Sequence, residues 1–354
     1  MFEVTSSQTL ASTDFPSINT LPVLLSEDLI TSKDPIPLKS LEPVHILFVV
    51  HGIGSSLATL QINESKLTES LEKVKNVRGS MFNRKLEVKM LDWKSFLVEE
   101  KSHKIEEITL KNHAGKRHLM NTVPADILFY LSKSHSKKIL TKIVKQANEI
   151  AASYEKTHEN ARFSFLAHSL GSVIAYDLLE RNYWLKNDHT HKTSQKIRLG
   201  FQVDYLFNIG SPLSLFLTIS HDKKIVPLDE LGFIKGMFNI YHPHDLFAYR
   251  LEPVLSCMEK VRKPIEIPFY KNDGYRKHKE NNGGFFRSYC CPKKRNFTEE
   301  NNMKKDRMRY DFQLQEGFLE YWVETLGLIE SHSSYWKNAD AAYFILRIVN
   351  ELGY

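Results

Sequence analysis

From residue 44 onward the chain alternates between short, dense apolar runs and longer amphipathic stretches. Val44-His45-Ile46-Leu47-Phe48-Val49-Val50 is almost continuously apolar and β-branched, as a strand is when both faces of a parallel sheet are covered. Leu86 to Leu91 alternates apolar and polar residues and predicts a neighbouring strand. Between about 124 and 158, Ile139, Ile143, Ala147 and Ile150 fall on one helical stripe with Lys and Glu opposite, and Pro124 suits a first helical turn. Arg162 to Ala167 reads as the next strand and Ser172 to Leu179 as a helix behind it. Tyr205 to Ile209 and Met237 to Tyr241 predict two more buried strands, stopped by Gly210-Ser211-Pro212 and His242-Pro243. Tyr310 to Leu314 alternates as a strand, and Asp340 to Leu352 has helical apolar spacing. Strands alternating with helices predict an α/β fold, a mostly parallel central sheet with helices on both faces.

Composition changes this picture at two places. Residues 1–40 are rich in Ser, Thr, Pro and Asp and read as an irregular leader, so the folded domain is expected over 41–354. Residues 271–309 hold twelve Lys/Arg against five Asp/Glu and few aliphatic residues, and predict an exposed, mobile basic insertion. The net charge of the whole chain is only +6, so nearly all of its excess sits in that segment. No nucleic-acid partner is expected from so local an excess. The N-terminus lacks a signal-peptide pattern, and no apolar run is long enough to predict a membrane span. Three cysteines, Cys257, Cys290 and Cys291, fit a reducing compartment better than a disulfide framework, so cytoplasmic residence is the expectation. They also lack the spacing of a metal site. The stretch 92–123, which mixes charge with Trp93, Phe96 and Leu97, is a candidate lid.

The chemistry-bearing pattern is Ala167-His168-Ser169-Leu170-Gly171, directly after a buried strand and opening a helix. A sharp strand-to-helix turn exposes a serine Oγ and sets a helix N-terminus under developing negative charge. Ser169 is therefore the candidate nucleophile. Leu170 N–H would be one oxyanion donor, and Gly52 or Ile53, in the glycine loop His51-Gly52-Ile53-Gly54 after the first strand, the other. His51 precedes the serine, so it is expected to orient the loop rather than act as base. Asp245, just past the strand ending at Tyr241, is the candidate acid. Asp204 is expected at the opposite sheet edge, Asp177 points away down a helix, and Asp222 and Asp229 follow no strand. His332, the one histidine after residue 278, is the candidate base. The order Ser169, Asp245, His332 is that of an α/β-hydrolase fold, and the chemistry needs no metal or cofactor.

These segments resemble the DDHD-domain family of intracellular phospholipases A1. The likeness is carried by Phe48 to Gly54, His168 to Leu179, Asn208-Ile209-Gly210-Ser211-Pro212-Leu213, Tyr241 to Pro253, Tyr310-Asp311-Phe312 and Ser331 to Trp336, spanning about 44 to 349 in order. The four residues of the family's name would fall at Asp204, Asp245, His332 and Asp340, with Asp204 and Asp340 structural. His244 stands where an aromatic is more usual, and the longer members' N-terminal regions are lacking. The resemblance implies cleavage of the sn-1 acyl ester of glycerophospholipids, with a preference for phosphatidic acid. It also implies peripheral attachment to anionic organelle membranes, for which the basic 271–309 segment would be suited. The rival readings are another lipid esterase or thioesterase with the same triad, and a non-catalytic trafficking scaffold.

Overall fold

The computed structural model describes residues 39–54, 56–95, 107–110, 112, 126–187, 197–219, 225, 228–229, 232–255, 262–274, 309–315 and 331–353. The leader up to residue 38, Pro124, Phe96 and Leu97 of the candidate lid, the three cysteines and the insertion over 275–308 lie outside them.

Seven parallel strands form one sheet in the order β2-β1-β3-β4-β5-β7-β6. They are β1 (Val44–Val50), β2 (Lys85–Leu91), β3 (Ala161–His168), β4 (Val203–Ile209), β5 (Gly236–Tyr241), β6 (Ile265–Glu266) and β7 (Asp311–Gln313). Strand β1 shows why the run at 44–50 is so apolar. Val44, Ile46, Phe48 and Val50 enter one buried cluster, while Leu47 and Val49 enter the other. On the first face lie α2 (Lys133–Thr157), through Ile139, Ile143 and Ala147, and α3 (Leu170–Asn187), through Val173, Ile174 and Leu178. On the second lie α1 (Leu57–Arg78), through Leu67, Leu71 and Val74, and the C-terminal helix Ala339–Val349. That last helix is apolar on almost every side and is almost wholly buried, with Phe344 against Phe238 and Phe312 at ring separations of 5.4 and 4.7 Å. Each such ring contributes about 1.5–3 kcal/mol by leaving water.

Strand order determines where a site can form. Strand β1 is followed by a helix on the second face, and its neighbour β3 by a helix on the first. The connections leaving the carboxyl ends of these two strands thus pass to opposite faces of the sheet, which is where a doubly wound sheet forms its binding crevice. The loop after β1 and the turn after β3 both lie in it.

The predicted strands all appear, within two residues at most boundaries. Asp204 is the second residue of β4 rather than preceding it, and sits at the expected N-terminal edge of the sheet. There it pairs with Lys235 at 3.0 Å and Arg162 at 3.8 Å. The helical stripe of 124–158 divides into 126–131 and 133–157, with Ser132 between them. Helix α1 was not expected. Its inward stripe of Leu60, Leu67, Leu71 and Val74 is diluted by exposed Leu57, Ile62 and Val77 on other faces.

Candidate active site

The turn from β3 into α3 holds Ser169 at φ 53°, a left-handed conformation that costs a non-glycine residue about 1–3 kcal/mol. Three contacts impose it. Ser169 N–H donates to the Ile209 carbonyl at 3.1 Å. Ser172 Oγ donates to the Ser169 carbonyl at 2.6 Å and is itself bonded to Ser211 Oγ at 2.6 Å. Gly171 runs so close to β1 that a Cβ there would lie 2.2 Å from the Val50 carbonyl oxygen. Gly171 is therefore obligatory by contact, whereas Ala167 lies within β3, wholly buried and without positive φ.

The loop after β1 faces this turn. A Cβ on Gly52 would lie 2.8 Å from Ser169 Cβ. Gly54, at φ 70°, donates its N–H to Asp126 at 2.9 Å, and Asp126 also accepts from Lys94 Nζ at 2.7 Å. Gly54 N–H thus points away from the serine, which leaves Gly52 and Ile53 as the loop positions nearest to it. His51 is fully buried. Its Nδ1 donates to the Gly52 carbonyl at 2.9 Å, and its ring stacks on Trp93 at 4.9 Å. Trp93 Nε1 in turn donates to the His51 carbonyl at 2.9 Å. Burial lowers the His51 pKa to about 4, so it is neutral near pH 7 and packs and orients the loop. Trp93, assigned above to a candidate lid, is instead a buried brace.

Asp245 and His332 meet directly. His332 Nδ1 lies 3.0 Å from both carboxylate oxygens of Asp245, so Nδ1 carries a proton that it donates to them. Asp245 also accepts from Tyr335 OH at 2.7 Å and from Phe247 N–H at 2.9 Å. Burial alone would raise its pKa. The bonds from His332, Tyr335 and Phe247 outweigh burial and hold the carboxyl below its ordinary value. The His332 ring lies between those of His168 and Phe247, each 4.7 Å away.

The remaining predicted positions stand apart. Leu170 opens α3 behind Ser169, where helix N–H groups lack intrahelical partners. Asp340 is fully buried beneath the sheet and accepts from Tyr270 N–H at 2.9 Å. Asp177 accepts from Tyr130 OH at 2.5 Å, and Asp229 from Tyr310 OH at 3.1 Å. Asp222 lies outside the described residues.

Four contributors were missed in the sequence. Gly210 was read only as a strand stop, yet at φ 55° its missing Cβ would lie 2.8 Å from Asp245 Oδ2 and 3.2 Å from His332 Nδ1. His168 Nε2 donates to the His332 carbonyl at 2.8 Å, tying the strand that leads into Ser169 to the segment that carries His332. Its pKa is lowered to about 3, by burial first and by His332 next, so it stays neutral. Tyr335 OH accepts from His242 N–H at 2.9 Å while donating to Asp245. Asp311 collects Asn239 Nδ2, Leu251 N, Arg250 Nε and Glu252 N within 3.3 Å, anchoring the end of the loop that carries Asp245. A carboxylate between Tyr310 and Phe312 in an apolar strand was the available signal, since a buried charge must be paired.

A parallel α/β sheet with a serine at the strand-to-helix turn and an Asp–His pair at the neighbouring strand ends defines the α/β-hydrolase class. Within that class the chain is similar to the DDHD-domain family, whose model matches residues 199–289 and 291–349. The match takes in Gly210, Asp245, Asp311 and His332 and stops short of Ser169. The chain is 26% identical over 303 residues to a protein of Schizosaccharomyces pombe named as a probable mitochondrial phospholipase, covering 68% of this chain and 39% of that one. It is 27% identical over 278 residues to the intracellular phospholipase A1 of Caenorhabditis elegans, covering 63% and 32%. Over 74 residues it is 39% identical to the triacylglycerol hydrolase DDHD2 of Mus musculus, covering 21% and 10%. The matches thus span 39% and 32% of the first two relatives' own length.

Proposed function

We propose that this chain is a phospholipase A1-type serine hydrolase that cleaves the sn-1 acyl ester of glycerophospholipids, phosphatidic acid foremost. The observation that carries the reading is the Asp245–His332 pair at 3.0 Å, beside a serine held at φ 53°. In this reading Ser169 Oγ attacks the acyl carbonyl carbon and gives its proton to His332 Nε2. Asp245 holds the imidazole by Nδ1 and stabilises the imidazolium. The N–H groups of Leu170 and of Gly52 or Ile53 receive the oxyanion. His332 then protonates the departing glycerol oxygen, and water, deprotonated by the same Nε2, releases the fatty acid from Ser169. Asp204 and Asp340, which pair with Lys235 and Tyr270 N–H away from this pair, serve the fold.

The relatives named as phospholipases support the substrate class, and the excess of positive charge over 271–309 supports an anionic headgroup. No described helix is long and apolar enough to cross a membrane. We place the enzyme in the cytoplasm, acting at organelle membranes from the surface. The test is fatty-acid release from vesicles containing phosphatidic acid. Ser169→Ala should lower the rate by at least about a thousandfold with the fold intact. Equal rates in both proteins would remove Ser169 as nucleophile. The segment 39% identical to a triacylglycerol hydrolase favours a second reading, a neutral-lipid esterase with the same triad. A panel of phosphatidic acid, phosphatidylcholine and triacylglycerol separates the two.

A further inference from the structure

Four segments at the carboxyl ends of the strands share a property that the catalytic chemistry does not require, and that the loop after β2, with Asp92 and Lys94, does not share. Segments 51–60, 126–132, 211–219 and 242–249 contain no Lys, Arg or Glu, in a chain of which 25% is charged. Their two aspartates, Asp126 and Asp245, are buried and bonded. All four segments border the same end of the sheet. The first follows β1, the third follows β4, the fourth follows β5, and the second is tied to the first by the Gly54–Asp126 bond. Each also turns large apolar side chains to solvent: Leu57 is 60% exposed, Leu128 66%, Leu131 60%, Ile219 64% and Leu246 64%. The opposite end of the sheet is ionic, with Arg162, Asp204, Lys235 and Glu351 in one paired cluster.

From this asymmetry we infer that the uncharged rim seats in the boundary between headgroups and acyl chains of a lipid bilayer, with the carboxyl ends of the strands facing the membrane. Exposed apolar side chains grouped on one face mark an interaction surface. A charge-free rim pays little desolvation on entering an apolar layer, whereas a protein partner of opposite charge would find nothing to pair with. The inference rests on the lipid-hydrolase reading and adds to it the orientation and the apolar, rather than electrostatic, source of attachment. An ester drawn from such a layer meets Ser169 without crossing bulk water.

The experiment uses the full chain and two readouts. The first is sedimentation with vesicles of phosphatidylcholine alone at high salt, which screens electrostatic attraction. The second is turnover of a water-soluble short-chain ester, which needs no interface. Leu128→Glu and Ile219→Glu should each lower vesicle partition by about tenfold, and the double variant by about a hundredfold. Ester turnover should stay within about twofold of wild type, which also shows that the fold is kept. Leu128→Trp, an apolar change toward an interfacial anchor, should raise partition. The proposal is overturned if wild type does not bind these vesicles, or if the double variant binds them as wild type does. It is also overturned if the variants convert a dimer to a monomer without changing partition, since the rim would then face a second copy of the chain. Ser169→Ala should partition as wild type does. Soluble-ester turnover equal in wild type and Ser169→Ala would sink the catalytic reading alone, because partition is measured without it.

Discussion

Gly210 leaves no room for a side chain beside the Asp245–His332 pair. Its φ of 55° excludes most side chains, and a methyl group would lie 2.8 Å from both Asp245 Oδ2 and Tyr335 Cε2. Gly210→Ala should therefore cost about 2–4 kcal/mol and push Asp245 and His332 apart. Chemical denaturation with parallel activity measurement checks it, and a variant of wild-type stability would contradict the geometry. Tyr335 acts on the same carboxylate through charge. Because Asp245 has a depressed pKa when folded, its stabilising contribution is present above the unfolded value near about 3.9 and is lost as pH falls through the folded value. Tyr335→Phe removes one of the bonds that depress it. The variant should be less stable by about 1–2 kcal/mol at pH 7, and the gap should narrow below about pH 4. Part of the gap persists at all pH values because His242 N–H also loses its acceptor. Urea unfolding at pH 7 and at about pH 3.5 measures both, and a gap independent of pH would remove the charge argument.

The loop 242–252 shows how an element positions a functional group. It leaves β5 at Tyr241, carries Asp245, and is tied down at its far end by Asp311 and by Glu252, whose Oε1 accepts from Arg309 Nε at 2.7 Å. Asp311→Asn leaves Arg250 with Glu252 at 3.6 Å in place of its nearer partner charge at 3.0 Å, removes a fully buried hydrogen-bonded carboxylate, and should cost about 3 kcal/mol. Hydrogen exchange over 245–251 should accelerate with it, and unchanged exchange would mean that the loop is held elsewhere. Strands β1, β3, β4 and β5 were legible in the sequence because burial on both faces forces a run that is apolar at most positions. Helix α1 was not, because three of its apolar residues face solvent. The two-residue strand β6 is too short to have a period. At the site, the turn that holds Ser169 and the meeting of Asp245 with His332 could be anticipated from chain order and strand ends alone. His168, Tyr335 and Gly210 could not, because their partners lie between 35 and 164 residues away along the chain. Only the folded sheet brings those atoms together.

At the scale of the molecule, three buried imidazoles are locked in neutral form in or beside the sheet. His45 has its pKa lowered to about 3, by burial first and then by Arg84, Arg162 and Lys235, His168 is likewise lowered to about 3, and His51 is lowered to about 4. Between those values and about 6.5 the unfolded chain binds protons that the folded one refuses, so stability falls as pH drops through that window. Three such groups give a slope approaching about 4 kcal/mol per pH unit. His45→Gln should lower it by about a third, as read by unfolding from pH 7 to pH 5, and an unchanged slope would refute the assignment. The connection from Ser169 to His332 has a different consequence, concerning the order of synthesis. The strained serine turn is complete once β3, β4 and α3 exist, but its Asp–His partner arrives with a segment more than 160 residues later, seated against helix α1 through Ser70 Oγ and the Trp336 carbonyl. A nascent chain therefore forms the Ser169 turn long before His332 can reach Asp245. On the proposed mechanism, such a chain stays chemically silent toward esters until its final helices dock.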